Sequence, residues 1–238
     1  MILPILRRGA VELGLKLSEY QIEQFEHYYQ LLVSWNARFN LTAVTDYSEV
    51  QRVHFLDSLS VIQSGIVLDD LQVIDVGTGA GFPGLPLKIA FPDIRLTLLE
   101  ATGKKTVFLT ETAAALGLSG VTVLNTRAED AARQRENRER YDLVVSRGVS
   151  SLDTLCELCL PFCRVGGTFV SLKKGEIQAE IEDASKAIKT LGGHLRSIKD
   201  VGLSDLEGSR KLIIIDKISQ TPPEYPRRSG MPAKKPIR

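Results

Sequence analysis

No stretch of the chain approaches about 18 consecutive apolar residues, so no membrane-spanning helix is expected. The first residues, MILPILRR, put apolar side chains ahead of two arginines. A secretory signal has the reverse order, so the expectation is a cytoplasmic protein. Cysteine is scarce: Cys156, Cys159 and Cys163 are the only three. A structural zinc site would want a fourth ligand, usually from a second pair. The three fall at i, i+3 and i+7 of LDTLCELCLPFC, one apolar face of an expected helix, and read as buried thiols. Net charge is also small, +1 over 238 residues. It is unevenly spread. Residues 221–238 carry Arg227, Arg228, Lys234, Lys235 and Arg238 against Glu224 alone, a net of +4, which leaves −3 on the other 220. A basic, proline-punctuated end on a slightly acidic body suits either a polyanion partner or a solvated tail.

The remaining 43% hydrophobic, 25% charged composition is that of a globular chain. Its most informative stretch is Leu71–Ala90, LQVIDVGTGAGFPGLPLKIA. Val73-Ile74-Asp75-Val76 reads as a strand buried on both faces. Gly77, Gly79, Gly81 and Gly84 follow, and then a helix. Glycines let a backbone turn sharply and approach a ligand closely. Gly79-x-Gly81-x-x-Gly84 fits the dinucleotide pattern. Asp75-x-Gly77-x-Gly79-x-Gly81 fits the acid-first loop of S-adenosylmethionine (SAM) enzymes. Asp75, whose carboxylate would meet a cationic amino-acid moiety, favours SAM. So do Pro83 and Pro86, which make a short, rigid helix start.

Upstream, Ser18 and Gln21 form a capping box for a helix running to Asn40, with Ile22, Phe25, Tyr29, Leu32 and Phe39 on one stripe. A second box, Ser48 with Gln51, is expected to open EVQRVHFLDSLSVIQ, with Val50, Val53, Leu56 and Val61 inward and Arg52 and His54 pointing elsewhere. Downstream, strands are expected at 94–99, 121–124, 141–145 and 168–172, with helices at 104–116, 152–163 and 176–191 between them. Thr126–Asp130 reads as a loop at the carboxyl edge and RQRENRER, 133–140, as a solvated segment. Two last strands, 195–199 and 211–218, suit an antiparallel hairpin at the sheet edge. Glu100 ends the second strand, where an acid accepts from ribose hydroxyls. The alternating pattern predicts an α/β fold, a doubly wound, mostly parallel Rossmann-like sheet with an antiparallel terminal pair. Residues 1–66 would be a helical extension, 67–220 the cofactor domain and 221–238 a basic tail.

The chain resembles a known family over nearly its whole length: the bacterial 16S rRNA guanine-N7 methyltransferases (RsmG, also called GidB). The resemblance lies in Trp35-Asn36 with Asn40-Leu41-Thr42, His54-Phe55-Leu56-Asp57-Ser58, Val76 to Gly84, Arg127-Ala128-Glu129, Ser146-Arg147, and Tyr225-Pro226-Arg227-Arg228-x-Gly230-x-Pro232-x-Lys234-x-Pro236. One departure is Gly148-Val149-Ser150, where the family usually has Ala-Val-Ala. The resemblance implies a class I SAM-dependent methyltransferase that methylates N7 of one guanosine, usually numbered 527, in the decoding-region loop of 16S rRNA, leaving S-adenosylhomocysteine. It implies cofactor contacts from Asp75, Gly77, Gly79, Gly81, Phe82, Glu100, Ala101, Thr102, Ala128, Glu129 and Arg147, with Arg147 also orienting the substrate. The residues expected to meet 16S rRNA, alone or in the small ribosomal subunit, are Arg52, His54, Lys173, Arg227, Arg228, Lys234 and Lys235. A monomer without a bound metal is expected.

The residues agree with such chemistry. Guanine N7 bears no proton at neutral pH, so no general base is needed. No Asn/Asp-Pro-Pro-Tyr motif is present to orient an amino group, and no cysteine ends the fourth strand as a covalent nucleophile. Two other readings compete. An NAD-dependent oxidoreductase would use the same loop, but it has no evident His or Lys poised for hydride chemistry. An RNA-binding protein that has lost catalysis would have no need of Asp75, Glu100 and Glu129 together.

Overall fold

The computed structural model describes residues 2–206 and 208–238. Two helices come first, α1 (Pro4–Glu12) and α2 (Glu19–Phe39). The Ser18–Gln21 capping box forms as expected, and Asn40 closes α2 in the left-handed conformation that asparagine tolerates. The next helical stretch departs from expectation. Asp46, not Ser48, caps it by accepting from the Ser48 and Glu49 amides. Gln51 turns away and accepts from the Ile5 and Leu6 amides of α1, two groups that a helix start leaves without partners. After one α turn, α3 (Tyr47–Glu49), the chain widens to a π turn over Val50–Leu56, returns to α in α4 (Asp57–Leu59) and tightens to a 3-10 turn over Ser60–Ser64. The π turn shifts the register of the side chains. His54, expected to point elsewhere, is thereby buried, while Val53 is only half-buried.

The alternating half follows in order: β1 (Gln72–Val76), α5 (Gly84–Ala90), β2 (Arg95–Glu100), α6 (Gly103–Ala115), β3 (Val121–Asn125), α7 (Ala128–Ala131), β4 (Tyr141–Arg147), α8 (Leu152–Cys159), β5 (Cys163–Lys174), α9 (Gln178–Thr190), β6 (Gly193–Asp200), β7 (Arg210–Lys217) and α10 (Met231–Lys234). Among the described residues these strands form one sheet in the order β3-β2-β1-β4-β5-β7-β6. The first five are parallel, and β7 is antiparallel to both β5 and β6. The terminal strand pair is therefore at the edge as expected, with β7 inserted between β5 and the outermost β6. Winding reverses between β1 and β4, the crevice where open α/β sheets bind ligands.

Strand side chains alternate between two cores. Val73, Leu143, Val145, Val170, Leu172, Leu212 and Ile214 face one, and this core also takes in Leu6, Ile22, Phe25, Tyr28, Phe55 and Leu59 of the N-terminal helices. Residues 2–66 thus share a core with the sheet. Ile74, Val76, Val144, Phe169, Ile213 and Ile215 face the other, under α8 and α9. All three cysteines lie in this second core. Only Cys156 and Cys159 are helical, since Cys163 opens β5. Burial pushes the Cys163 thiol up to about 12, so it packs as an apolar group.

Residues 133–140, expected to be solvated, and the basic tail are both built into the fold. In 133–140, Arg138 donates to the carbonyls of Thr221, Pro222 and Tyr225, and Arg133 to those of Glu224 and Pro226. Arg227 of the tail is held by Glu157, and Arg238 by Asp153. The tail is consequently pinned along the outside of α8.

Candidate active site

A cleft of about 710 Å³ opens at the carboxyl ends of β1, β2 and β4. Its floor is the glycine loop. Gly77, Gly79 and Gly81 all have positive φ, which only glycine adopts without strain. Gly77 also needs to lack a side chain, because a Cβ there would sit 2.6 Å from Val149 Cγ2. At Gly79 a Cβ would meet nothing within 4 Å and would project into the cleft instead. Gly81 lies behind the loop. A Cβ on it would strike Leu85 at 2.5 Å and the Tyr28 hydroxyl at 2.7 Å, so its role is packing and not ligand contact.

Asp75 likewise stands where sequence reasoning did not put it. It is fully buried beneath the loop. Its Oδ2 accepts from Thr78 Oγ1 at 2.6 Å and from the Gly84 amide at 2.7 Å, so it braces the turn and does not face a ligand. Oδ1 has no hydrogen-bond partner among the described residues, and burial lifts the carboxyl to about 6. Glu100 does reach the cleft. Its Oε2 accepts from the Gly79 amide at 3.1 Å and its Oε1 from the Thr102 amide at 2.8 Å, which fixes the carboxylate at the end of β2. Ala101, Ala128 and Glu129 line the cleft, whereas the Thr102 side chain is exposed outside it.

The other end of the cleft is a stack. Phe82 lies parallel to the His54 ring at 4.4 Å, and the Arg147 guanidinium sits 5.0 Å from the Phe82 centroid. Arg147 Nη1 donates to the Val53 carbonyl at 2.7 Å and to Asp57 Oδ2 at 2.9 Å. Its Nη2 lies 3.2 Å from His54 Nδ1. Nδ1 also lies 3.1 Å from the Val53 carbonyl, and Nε2 is 2.9 Å from Thr42 Oγ1. With both ring nitrogens engaged, His54 holds Arg147 and is not a free phosphate contact. Asp57 is buried and is shared with a second buried arginine, Arg210, 3.7 Å from Oδ1. Sequence reasoning missed Asp57, although it stands in the same motif as His54. It also missed Thr42, Lys105 and Arg127, all cleft-lining except Asp57.

Burial first, then the Arg147 charge, push His54 down to about 3. The unfolded chain takes up a proton near pH 6.5 that the native ring refuses until about pH 3. The stability tied to this ring is complete above pH 6.5 and is lost as the pH falls toward 3. Between pH 7.5 and pH 5 the wild type should lose about 2 kcal/mol more than His54→Gln, measured by urea unfolding. Equal losses in the two proteins would refute this.

The basic residues divide. Lys173 is spent internally, on the Ser150 carbonyl and Glu180, both at 2.6 Å. Arg227 is spent on Glu157, and Arg52 pairs with Glu49 at 3.0 Å on the surface. Arg228, Lys234 and Lys235 are exposed and make no ion pair among the described residues. The Gly148-Val149-Ser150 variation is accommodated: Gly148 has φ +66° and borders the cleft, and Val149 covers Gly77.

Comparison with known proteins gives the family and the fold. Residues 21–212 match the GidB family, described as rRNA small subunit methyltransferase G. The chain is 52% identical over 229 residues to the ribosomal RNA small subunit methyltransferase G of Dehalococcoides mccartyi strain CBDB1, covering 96% of this chain and 97% of the relative. It is 45% identical to the enzyme of the same name from Alkaliphilus metalliredigens, covering 98% of each. Among solved structures, M. jannaschii TYW2 in complex with AdoMet superposes with a TM-score of 0.51 at 15% identity, over 67% of this chain and 75% of that one. At that identity the likeness is one of fold.

Proposed function

The chain belongs to the rRNA small subunit methyltransferase G family, and from that premise we propose that it transfers a methyl group from SAM to N7 of a guanosine in the decoding-region loop of 16S rRNA. Its activity is that of a SAM-dependent methyltransferase acting on small-subunit rRNA. One observation carries it. The glycine loop and Glu100 make a cradle at the sheet's switch point, and the one loop position whose Cβ would occupy free space in that cradle is Gly79.

The cradle fits the cofactor. Glu100 offers a fixed carboxylate for ribose hydroxyls, Gly77 to Ala80 bring backbone close to the amino-acid end, and Leu99, Ala128 and Leu158 give an apolar edge for a purine. Bound SAM supplies an electrophilic methyl on a sulfonium. Guanine N7 supplies a lone pair, so no group need remove a proton first. His54 agrees with this, since a ring protonated only near pH 3 is a poor base. What remains is positioning, which supplies roughly 7 kcal/mol or more when two reactants are held in line. Arg147 has its Nε–H and one Nη2–H left over beyond the bonds to Val53, Asp57 and His54. These would orient guanine through O6, or a neighbouring phosphate. Arg228, Lys234, Lys235, Lys105 and Arg127 would meet the rRNA backbone, making binding salt-dependent. The chain acts as a monomer in this scheme.

The direct test is transfer from labelled SAM to 16S rRNA, naked and in the small subunit, with the modified base mapped. Label at N7 of a decoding-loop guanosine supports the reading, and label at any other position sinks it. A second test concerns the cradle. Gly79→Ala should cost only about 1–2 kcal/mol in stability, from the left-handed backbone, yet weaken S-adenosylhomocysteine binding at least tenfold by calorimetry. Unchanged affinity would remove Gly79 from the site.

A further inference from the structure

The C-terminal segment reaches the cleft. Ser229, Gly230 and Ala233 line the same cavity as Ala128, Glu129 and Leu158. The Gly230 amide donates to Glu129 Oε1 at 2.8 Å, and Ser229 Oγ to Asp130 Oδ2 at 3.1 Å. On either side of this contact the segment is clamped. Before it, Arg227 grips Glu157 through its backbone amide and guanidinium. After it, the Pro232 carbonyl accepts from Thr154 Oγ1, and Arg238 pairs with Asp153 at 2.8 Å and Asp183 at 3.3 Å. Glu157 and Asp153 are each 1% exposed. A buried carboxylate is costly unless paired, and the arginines paired with these two both come from the tail. The fold has therefore placed two buried anions on α8 whose ion-pair partners arrive with the last twelve residues.

We propose that residues 229–233 form a wall of the cofactor site, closing it over the purine-nucleoside end, and that the Glu157 and Asp153 clamps hold that wall in place. This rests on the reading that the cleft takes SAM. The end is assigned by Glu100. An acid at the end of β2 meets the ribose hydroxyls. Glu100 holds the glycine loop through the Gly79 amide, and the same cleft continues to Ala128, Glu129 and the tail, where a base would lie. The side chains there, Ala128, Leu158 and Ala233, are small or apolar, with the Gly230 backbone between them, which suits the face of a purine. The segment read from sequence as an rRNA-contacting tail would then have two faces. Arg228, Lys234 and Lys235 point outward for the polyanion, and Ser229, Gly230 and Ala233 inward for the nucleoside.

Calorimetry with S-adenosylhomocysteine and with adenosine tests this on full-length protein, an Ala233→Phe variant and a chain ending at residue 228. Ala233 is exposed and carries none of the clamps, so the phenylalanine variant keeps the wild-type melting temperature while its ring enters the nucleoside space. We expect both variants to bind S-adenosylhomocysteine and adenosine at least tenfold more weakly. Wild-type affinity in both would overturn the wall. If the shortened chain fails to fold, Ala233→Phe alone decides. A full-length protein that binds neither SAM nor S-adenosylhomocysteine would overturn the cofactor reading itself, and the proposal with it.

Discussion

Arg147→Ala is expected to slow methyl transfer to rRNA by on the order of 10²-fold or more, the effect of removing one preorganised donor from a reacting centre. S-adenosylhomocysteine affinity should change far less. The prediction follows from how the side chain is held. Three contacts, to Val53, Asp57 and His54, fix a guanidinium against Phe82 in the wall of the cleft. Lysine in its place keeps a charge but offers no planar fork, so Arg147→Lys should recover little. The fold should tolerate the loss, because Arg210 remains beside Asp57 to balance its charge. Single-turnover rates with saturating SAM measure the effect. A normal rate would remove Arg147 from the mechanism. A loss confined to cofactor affinity would reassign it to holding SAM.

Asp57→Ala should have the largest effect on stability. Asp57 is the carboxylate between two guanidiniums, and both belong to strands of the sheet while Asp57 belongs to the N-terminal helices. Removing it leaves two positive charges facing each other in a buried place. Breaking a buried pair in this way costs about 3–5 kcal/mol, which corresponds to roughly 6–20 °C in melting temperature for a chain of this size. The double variant with Arg147→Ala should be destabilised by less than the sum of the two, because one of the stranded charges is gone. A melting point within a degree or two of the wild type would show that Arg147 and Arg210 find other partners. Activity should also fall in Asp57→Ala, through the loss of Arg147's orientation.

Much of this was legible in the residues. Val73 to Val76 read as a doubly covered strand because parallel strands have no polar face, and Glu100 read as a residue of the cleft because its strand ends at the carboxyl edge. The terminal pair was legible from two apolar runs with no helix between them. Other features had no local signature. Asp75 was assigned to a ligand because acid-first loops invite it, but what decides is the direction of its Cβ, and that points under the turn toward Thr78 and Gly84. The Ser48–Gln51 box failed because Asp46 took the Ser48 amide and Gln51 had a better use on α1. His54 was placed outward because helical periodicity assumes 3.6 residues per turn, and the π turn does not keep that period. The tail's charge was legible and its anchoring was not, since composition does not reveal that Glu157 and Asp153 wait on α8.

The position of β7 has a consequence for how the protein comes into being. The strand that sits sixth in the sheet is the seventh in the chain, and the outermost strand is made before it. While the polypeptide is being synthesised, β5 and β6 exist with a gap between them that only the later residues Arg210–Lys217 can fill. Until then the hydrogen-bonding edge of β5, flanked by Phe169, Val170 and Leu172, is open to any other extended chain. A nascent or truncated product that stops short of residue 210 therefore exposes an apolar template, and such fragments should be clients for chaperones or seeds for aggregation, while the finished chain seals that edge with its own last strand.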